Sequence, residues 1–170
     1  FNMVQQTFLR LMLVLTMNKL IIGATGAIGS ALARKLVSQG KSVHLVARNE
    51  SEVSDLAKEL NSSFTVADVL TESYSEEIIK NCGDIDGLAF CVGSIDLKPI
   101  KFTKKSDYMQ SFNLNLISAT EIIRASHEKL KSNKGSIVMF STVAARKGFM
   151  NHSIMGCLLY TSDAADDLYR

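Results

Sequence analysis

From residue 17 onward, short apolar runs alternate with segments that have the spacing of helices. Five runs are predicted as strands, at 19–22, 42–47, 64–67, 85–92 and 136–140. Runs without a polar face are typical of strands buried on both sides, and intervening helices are typical of parallel crossovers. The alternation therefore predicts an α/β fold with a doubly wound parallel sheet.

The predicted helices carry apolar residues three and four positions apart. In the first helix these are Ile28, Ala31, Leu32 and Leu36; in the longest, predicted over 106–131, they are Phe112, Leu116, Ala119, Ile123 and Leu130. Residues at that spacing share one face of a helix. We therefore expect these side chains to pack against the sheet.

The length and composition indicate one ordinary globular domain, for which we predict bounds of 17–156. The 170 residues carry a formal charge of +2, so no nucleic-acid partner is predicted. Three cysteines without a ligand spacing predict neither a disulfide framework nor a metal site, and favour the cytoplasm. The apolar run at 8–15 is too short for a membrane span and lacks a signal-peptide cleavage site, although it could be part of a signal peptide. Residues 1–16 are interpreted as an extension or upstream translation.

A glycine-spaced turn joins the first predicted strand to the first predicted helix. Its residues are Gly23, Ala24, Thr25, Gly26, Ala27, Ile28 and Gly29. Between a strand and a helix, such glycines allow a tight turn, a close approach of a pyrophosphate and close helix packing, while helix amides face the phosphates. We therefore predict a Rossmann-like dinucleotide site; the alternative is that the glycines merely shape a tight turn.

Arg48 follows the second predicted strand, where dinucleotide folds contact the adenosine ribose. An acidic residue there would favour NAD, whereas the planar guanidinium of arginine can pair with a 2′-phosphate. Arg48 therefore favours NADP(H) as the cofactor. The alternative is an ordinary solvated loop charge.

Further motifs fall in order along the chain, and with the glycine turn they resemble the short-chain dehydrogenase/reductase superfamily. Asp68 and Val69 resemble the family's Asp-Val pair, whose carboxylate contacts adenine. Of the family's NNAG motif, Phe90-Cys91-Val92-Gly93 retains Gly93 alone. The resemblance implies an NAD(P)-binding domain with five of the family's roughly seven strands.

Two motifs imply catalytic residues. Phe112-Asn113-Leu114-Asn115-Leu116 resembles FxxNL and places Asn115 on the family's proton-relay asparagine; alternatively, Asn115 caps or bridges backbone within the helix. The segment 135–142 resembles GxIVNISS and places Thr142 on the serine that orients the substrate carbonyl, with Ser141 as the fallback. Alternatively, this hydroxyl pair is a turn or helix-capping feature.

The family's YxxxK motif is not matched. Counted from Thr142, its tyrosine falls on Met155 and its lysine on Leu159, and neither side chain can transfer a proton. A gap of one or two residues in this placement is an alternative. Residues 157–170, CLLYTSDAADDLYR, resemble the translation of a sequencing-library adapter, so we expect a native chain that ends near Gly156 and a non-native tail at 157–170.

Two functions are consistent with these residues. The first is an oxidoreductase that transfers hydride between NADP(H) and a small-molecule carbonyl or alcohol, of which this chain is an inactive fragment lacking the Tyr/Lys region. The resemblance allows the full-length protein to be a homo-oligomer and implies no membrane partner. The second is a non-catalytic NAD(P)-binding regulatory or redox-sensing protein.

Overall fold

The fold is a five-stranded parallel sheet covered by helices on both faces. The computed structural model describes residues 17–145, 147 and 149–163; the predicted extension 1–16 and the end of the predicted tail, 164–170, lie outside the described residues. The strands are β1 (Asn18–Ile22), β2 (Ser42–Ala47), β3 (Ser63–Val66), β4 (Ile85–Phe90) and β5 (Ser136–Val138). They lie in the order β3-β2-β1-β4-β5, and all four pairings are parallel. The predicted doubly wound sheet is confirmed.

Helices connect successive strands. They are α1 (Ala27–Ser38), α2 (Glu50–Leu60), α3 (Tyr74–Asn81), α4 (Lys105–Phe112), α5 (Ser118–Ser132) and α6 (Ser153–Asp163), with short 3₁₀ turns at Ile100–Phe102 and Val143–Ala145. Most predicted strand bounds hold within one or two residues. The fifth strand ends at Val138 rather than at 140, which leaves the next two residues in the loop beyond the sheet.

Alternation along β1 divides the core into two layers. Leu20 and Ile22 belong to a cluster on the face with α3 and α5, whereas Ile21 belongs to a cluster on the face with α1 and α2. All three side chains are fully buried. A strand buried on both faces has no polar alternation, which explains the continuous apolar run in the sequence.

The predicted apolar stripe of α1 is partly wrong. Ile28 is 53% exposed and Ala31 is also exposed, while Gly29 and Ala33 are the buried positions. The helix approaches the sheet so closely that a Cβ on Gly29 would lie 2.3 Å from the carbonyl oxygen of Gly23. The contact face is therefore centred on Gly29, and Ile28 lies at the cavity beyond the strand ends.

The longest predicted helix is interrupted by a π-helical turn at Asn113–Ile117. A π turn adds a residue to one turn, so the buried face changes phase. Phe112 is 38% exposed, contrary to prediction, and Ile122 rather than Ile123 is fully buried. The predicted stripe is wrong at Phe112 because it assumed an uninterrupted helix.

The last helix, α6, crosses residue 156, where we predicted that native structure ends. Met155, Leu158 and Leu159 form a buried cluster against Leu116. The described part of the predicted tail is therefore helical, and its residues Leu158 and Leu159 are packed. Its origin stays a prediction, because packing of a segment does not identify where its sequence comes from.

Candidate cofactor-binding and active site

Two adjoining cavities lie at the carboxyl ends of the strands, where the strand order reverses between β1 and β4. Parallel α/β sheets place ligands at this switch point. A groove of about 480 Å³ extends over β1, β2 and β3, and a cavity of about 270 Å³ lies over β4 and β5. The cavities share the four residues after Phe90, which are Cys91, Val92, Gly93 and Ser94. We call them the groove and the small cavity.

The glycine turn borders the groove. Gly23, Thr25 and Gly26 line it directly and Ile28 lines the small cavity, whereas Ala24, Ala27 and Gly29 are in the lining of neither. Gly23 has a φ of +81°, and a Cβ there would lie 2.9 Å from Val92 Cγ2. Glycine is therefore required at position 23 by both backbone conformation and space.

The start of α1 is left open toward polar ligands. Gly26 is the N-cap residue, and it has no side chain that could accept a hydrogen bond from the amides of the first turn. The first amides of a helix have no partners within the helix and carry its positive dipole end. At this position they can bind an anion without displacing a protein group.

Arg48 and Asp68 line the groove at the ends of β2 and β3. Arg48 is exposed, and within the described ranges no carboxylate forms a salt bridge with it. Asp68 is half-buried, and its Oδ1 accepts a hydrogen bond from Leu70 N at 3.0 Å. Val69 is buried beside it and also lines the groove. The predicted adenosine-side residues are thus brought together.

Asn115 connects the π-helical turn to the loop after β4. Its Oδ1 accepts a hydrogen bond from Ser94 N at 3.0 Å, and its Nδ2 donates to Ser94 O at 3.2 Å. The same Nδ2 donates to Ser111 O at 2.9 Å and to Ser111 Oγ at 3.1 Å. The alternative predicted for Asn115, a cap or bridge within the helix, matches only the bond to Ser111 O, whereas the two bonds to Ser94 form a bridge to the loop after β4. The bridge fixes Ser94 and Gly93 at the junction of the groove and the small cavity.

Ser141 and Thr142 both line the small cavity, as does Asn115. Thr142 Oγ1 accepts a hydrogen bond from Ala144 N at 3.3 Å, which is also the turn-capping arrangement considered as an alternative. Ser141 is exposed. Because Thr142 Oγ1 acts as an acceptor there, its hydroxyl hydrogen can still be donated to a ligand.

Met155 and Leu159 also line the small cavity. Met155 is 3% exposed, and its Sδ lies 3.7 Å from Ser111 Oγ. The two positions that the family's spacing assigns to its tyrosine and lysine are therefore in the same cavity as the hydroxyl pair. Their side chains are apolar where the resemblance expects a proton donor and a cation.

Sequence reasoning missed three residues of the site. Cys91 borders both cavities, and burial raises the pKa of its thiol. Ser94 provides the backbone groups that Asn115 binds, and Ser111 is a buried hydroxyl beneath Asn115. Ser94 could have been found from its position after Gly93 at a strand end; Ser111, one helical turn before Asn115, gave no separate signal.

A sequence model of the family described as short chain dehydrogenase matches residues 18–157. The chain belongs to the short-chain dehydrogenase family. Similar curated proteins include an uncharacterised oxidoreductase of Staphylococcus epidermidis, 27% identical over 143 residues. A tropinone reductase homolog of Arabidopsis thaliana is 30% identical over 139 residues, and L-xylulose reductase of Bos taurus is 27% identical over 138 residues.

These alignments cover 80%, 75% and 79% of this short-chain dehydrogenase chain, but 62%, 53% and 57% of the relatives. The chain thus spans a little over half of the length of the relatives it matches. The solved structure of a short chain dehydrogenase/reductase family protein superposes with a TM-score of 0.82 at 22% identity, over 88% of this chain and 65% of that one. The fold of the described residues is therefore that of the family.

Neither a membrane span nor a metal cluster was found in the described part of this short-chain dehydrogenase. None of its helices there is long and apolar enough to cross a bilayer. Within the same residues, no three or more His, Cys, Asp or Glu side chains are grouped as metal ligands. The site is built from glycines, hydroxyls, amides, a thiol and apolar side chains, with the charges of Arg48 and Asp68 in the groove.

Proposed function

We propose that the full-length protein is an NADP(H)-dependent oxidoreductase that interconverts a small-molecule carbonyl compound and its alcohol. The observation that carries this proposal is the connection of the glycine-lined groove to the small cavity with its hydroxyl pair. The two share the wall formed by Cys91 through Ser94. A dinucleotide in the groove would therefore extend toward Ser141 and Thr142.

The residues present fit a dinucleotide phosphate. The cradle requires Gly23 and Gly29, since a Cβ at either position would lie within 3.0 Å of neighbouring atoms. The uncapped start of α1 supplies amides for a pyrophosphate. Arg48 would hold a 2′-phosphate, and Asp68 and Val69 would contact the adenine. When bound, the cofactor would supply the hydride for reduction of the carbonyl compound or accept it in oxidation of the alcohol.

The chain's own groups would position the substrate oxygen. Thr142 would donate its hydroxyl hydrogen to that oxygen, and Ser141 lies beside it as a second donor. Asn115 acts through the backbone of Ser94, which it holds in place at the junction of the cavities. These groups stabilise negative charge on an oxygen but cannot replace a proton donor with the pKa of a tyrosine.

We therefore expect the 170-residue chain to bind the cofactor without turnover and the full-length protein to do both. The 170-residue chain is expected to bind NADPH in a fluorescence titration but to oxidise none of it with any carbonyl substrate. The full-length protein is expected to oxidise NADPH with at least one carbonyl compound. Absence of dinucleotide binding by either protein would overturn the proposal, and turnover by the 170-residue chain would overturn the assignment of a missing catalytic region.

A second candidate is cofactor binding without catalysis, as in a regulatory or redox-sensing protein. It is supported by the placement of Met155 in the wall of the small cavity and by the departure from the family's NNAG motif at Phe90-Cys91-Val92-Gly93. Under this proposal, the full-length protein binds NADPH but reduces no compound in a carbonyl panel. Reduction of any panel member by the full-length protein would exclude it.

Three further proposals concern the whole protein. A cytoplasmic location is supported by the free thiols of Cys82, Cys91 and Cys157, and fractionation of cells would test it. The proposal that the native part of this sequence ends near Gly156 is supported by the adapter-like sequence of 157–170, and resequencing the locus past that codon would test it. A homo-oligomer is supported by the family resemblance alone, and light scattering on the full-length protein would test it.

A further inference from the structure

We propose that the small cavity selects an uncharged carbonyl compound with an apolar body and a single oxygen at the reacting end. This inference rests on the proposed function, because it assigns a substrate class to the same site. It excludes two other classes of carbonyl compound: those that carry a carboxylate or a phosphate, and those that carry several hydroxyl groups.

The walls of the small cavity are mostly apolar. Phe90, Met139, Phe140 and Met155 contribute carbon and thioether surface, with Ile28 at the side of the glycine turn. Among the described residues that line the cavity, none is Lys, Arg, His, Asp or Glu. An apolar body gains free energy by leaving water for such a wall, at about 25 cal/mol per Å².

The polar groups of the small cavity are few, and one of them is already engaged. The Nδ2 group of Asn115 donates to Ser94 O and to Ser111, so this amide has no free hydrogen to donate to a carbonyl ligand. Thr142 retains its hydroxyl hydrogen, because its oxygen accepts from Ala144 N, and Ser141 adds a second hydroxyl. Two neighbouring hydroxyl donors match one carbonyl oxygen.

Other ligand classes would lose hydration without compensation. A carboxylate or phosphate would enter a cavity whose described lining offers no cation, and burial of an unpaired charge is costly. A polyhydroxy ketone would place several hydroxyl groups against Phe140 and Met155, and each unpaired buried hydroxyl costs about 1–3 kcal/mol. Both classes should therefore bind at least roughly tenfold more weakly than an apolar ketone.

Binding rather than turnover tests this selection on the 170-residue chain. The chain is saturated with NADPH, and saturation-transfer NMR measures its affinity for cyclohexanone, pyruvate and L-xylulose. We expect cyclohexanone to bind at least roughly tenfold more tightly than the other two. Equal or tighter binding of pyruvate or L-xylulose, or no binding of cyclohexanone, would overturn the inference. The prior NADPH titration reports separately on the proposed function, so the two can fail independently.

A charge placed in the wall identifies the cavity as the site of binding. Phe140 is 47% exposed, so Phe140→Arg should fold, and it should weaken cyclohexanone and strengthen pyruvate by roughly tenfold each. Phe102→Arg is the matched control, because Phe102 is 62% exposed and does not line the small cavity. Unchanged affinities in Phe140→Arg, or equal changes in Phe102→Arg, would show binding elsewhere and overturn the inference.

Discussion

Two halves of the sheet differ in how far their strands are buried: the cofactor side, formed by β1, β2 and β3 at the groove, and the substrate side, formed by β4 and β5 at the small cavity. On the cofactor side, β1 and β2 are buried between helices, and the glycine turn, Arg48 and Asp68 lie together at the groove. On the substrate side, Ile137 and Val138 in β5 are 44% and 49% exposed. Within the described residues, β1 and β2 of the cofactor side have their apolar side chains buried, whereas β5 exposes apolar side chains to solvent.

The side chains of the cofactor side also match the family's motifs better than those of the substrate side. The glycine turn and the Asp-Val pair of the family are present on the cofactor side, but the small cavity has Cys91 and Met155 where the resemblance implies an amide and a proton donor. A dinucleotide groove needs backbone geometry and a few local glycines, which one short stretch of chain supplies. Catalysis needs side chains from distant segments to converge. A catalytic site is therefore lost more readily than a dinucleotide groove when the sequence diverges.

The largest expected effect lies in the glycine turn. A Cβ on Gly29 would lie 2.3 Å from Gly23 O and 2.9 Å from Ala24 Cα, and both are backbone atoms that cannot rotate away. Gly29→Ala should therefore lower the free energy of unfolding by about 3 kcal/mol and abolish measurable NADPH binding. Urea unfolding and a fluorescence titration measure the two effects.

Gly26→Ala is the matched control for that substitution. Its Cβ would lie 3.4 Å from Gly23 O, and the φ of −68° at Gly26 suits any residue. The free energy of unfolding should fall by no more than about 1 kcal/mol, which is the cost of alanine at an N-cap. Equal destabilisation by both substitutions would mean that the packing of α1 on the turn does not set the stability of the cofactor side.

His44 should make the stability of the cofactor side depend on pH. Its ring nitrogens lie 2.8 Å from Ser63 Oγ and 2.8 Å from Thr65 Oγ1, and burial lowers its pKa from 6.5 to about 4. The unfolded chain therefore takes up a proton near pH 6.5 while the folded chain does not. Stability should fall as the pH decreases from 6.5 to 4, by about 3 kcal/mol at the lower end.

Urea unfolding at several pH values measures this dependence. His44→Leu should be less stable than wild type at pH 7, because the hydroxyls of Ser63 and Thr65 lose a partner. It should lack the part of the pH dependence that His44 causes. An identical slope between pH 6.5 and 5 in the variant would assign the dependence to other groups and remove His44 as its cause.

The sequence predicted the strands and the first helix of the cofactor side well because their signals are local. Apolar runs identify strands buried on both faces, and a strand, a glycine turn and a helix in succession predict a phosphate site without knowledge of any distant contact. The position of Arg48 follows directly from the end of β2. The sheet order then places the ends of β1, β2 and β3 at one edge.

The substrate side was harder to predict because its geometry depends on interruptions and long-range contacts. The π-helical turn changes the phase of the longest helix, which no three-and-four spacing reveals in advance, and so Phe112 was wrongly assigned to the core. Asn115 binds Ser94, which lies 21 residues earlier in the chain. Hydrogen bonds of this kind become visible only when the loop and the helix are placed together.

Arg48→Ala should separate the two cofactors. A charged hydrogen bond to the 2′-phosphate contributes about 1.5–3 kcal/mol, so the Kd for NADPH should rise roughly tenfold to a hundredfold. The Kd for NADH should change by less than about twofold. Arg34→Ala removes an equal charge from α1, where Arg34 pairs with Glu59, and should affect neither Kd. Equal weakening of NADPH and NADH by Arg48→Ala would contradict the 2′-phosphate assignment.

Ser111→Ala should have the smallest effect and should be confined to the substrate side. It removes one hydrogen bond to Asn115 and the contact with Met155 Sδ, but Asn115 keeps Ser111 O and both backbone groups of Ser94. The free energy of unfolding should fall by about 1 kcal/mol. Ser132→Ala, at the exposed end of α5, should change it by less than about 0.5 kcal/mol.

The informative measurement on Ser111→Ala is its affinity for NADPH. If the glycine turn and Arg48 provide most of the binding free energy, the Kd for NADPH should stay within about twofold of wild type. The affinity for cyclohexanone should fall, because Met155 and the Asn115 bridge both border the small cavity. A rise in the NADPH Kd as large as that in Arg48→Ala would show instead that the loop held by Asn115 carries cofactor affinity, and that the two sides of the sheet are one coupled site.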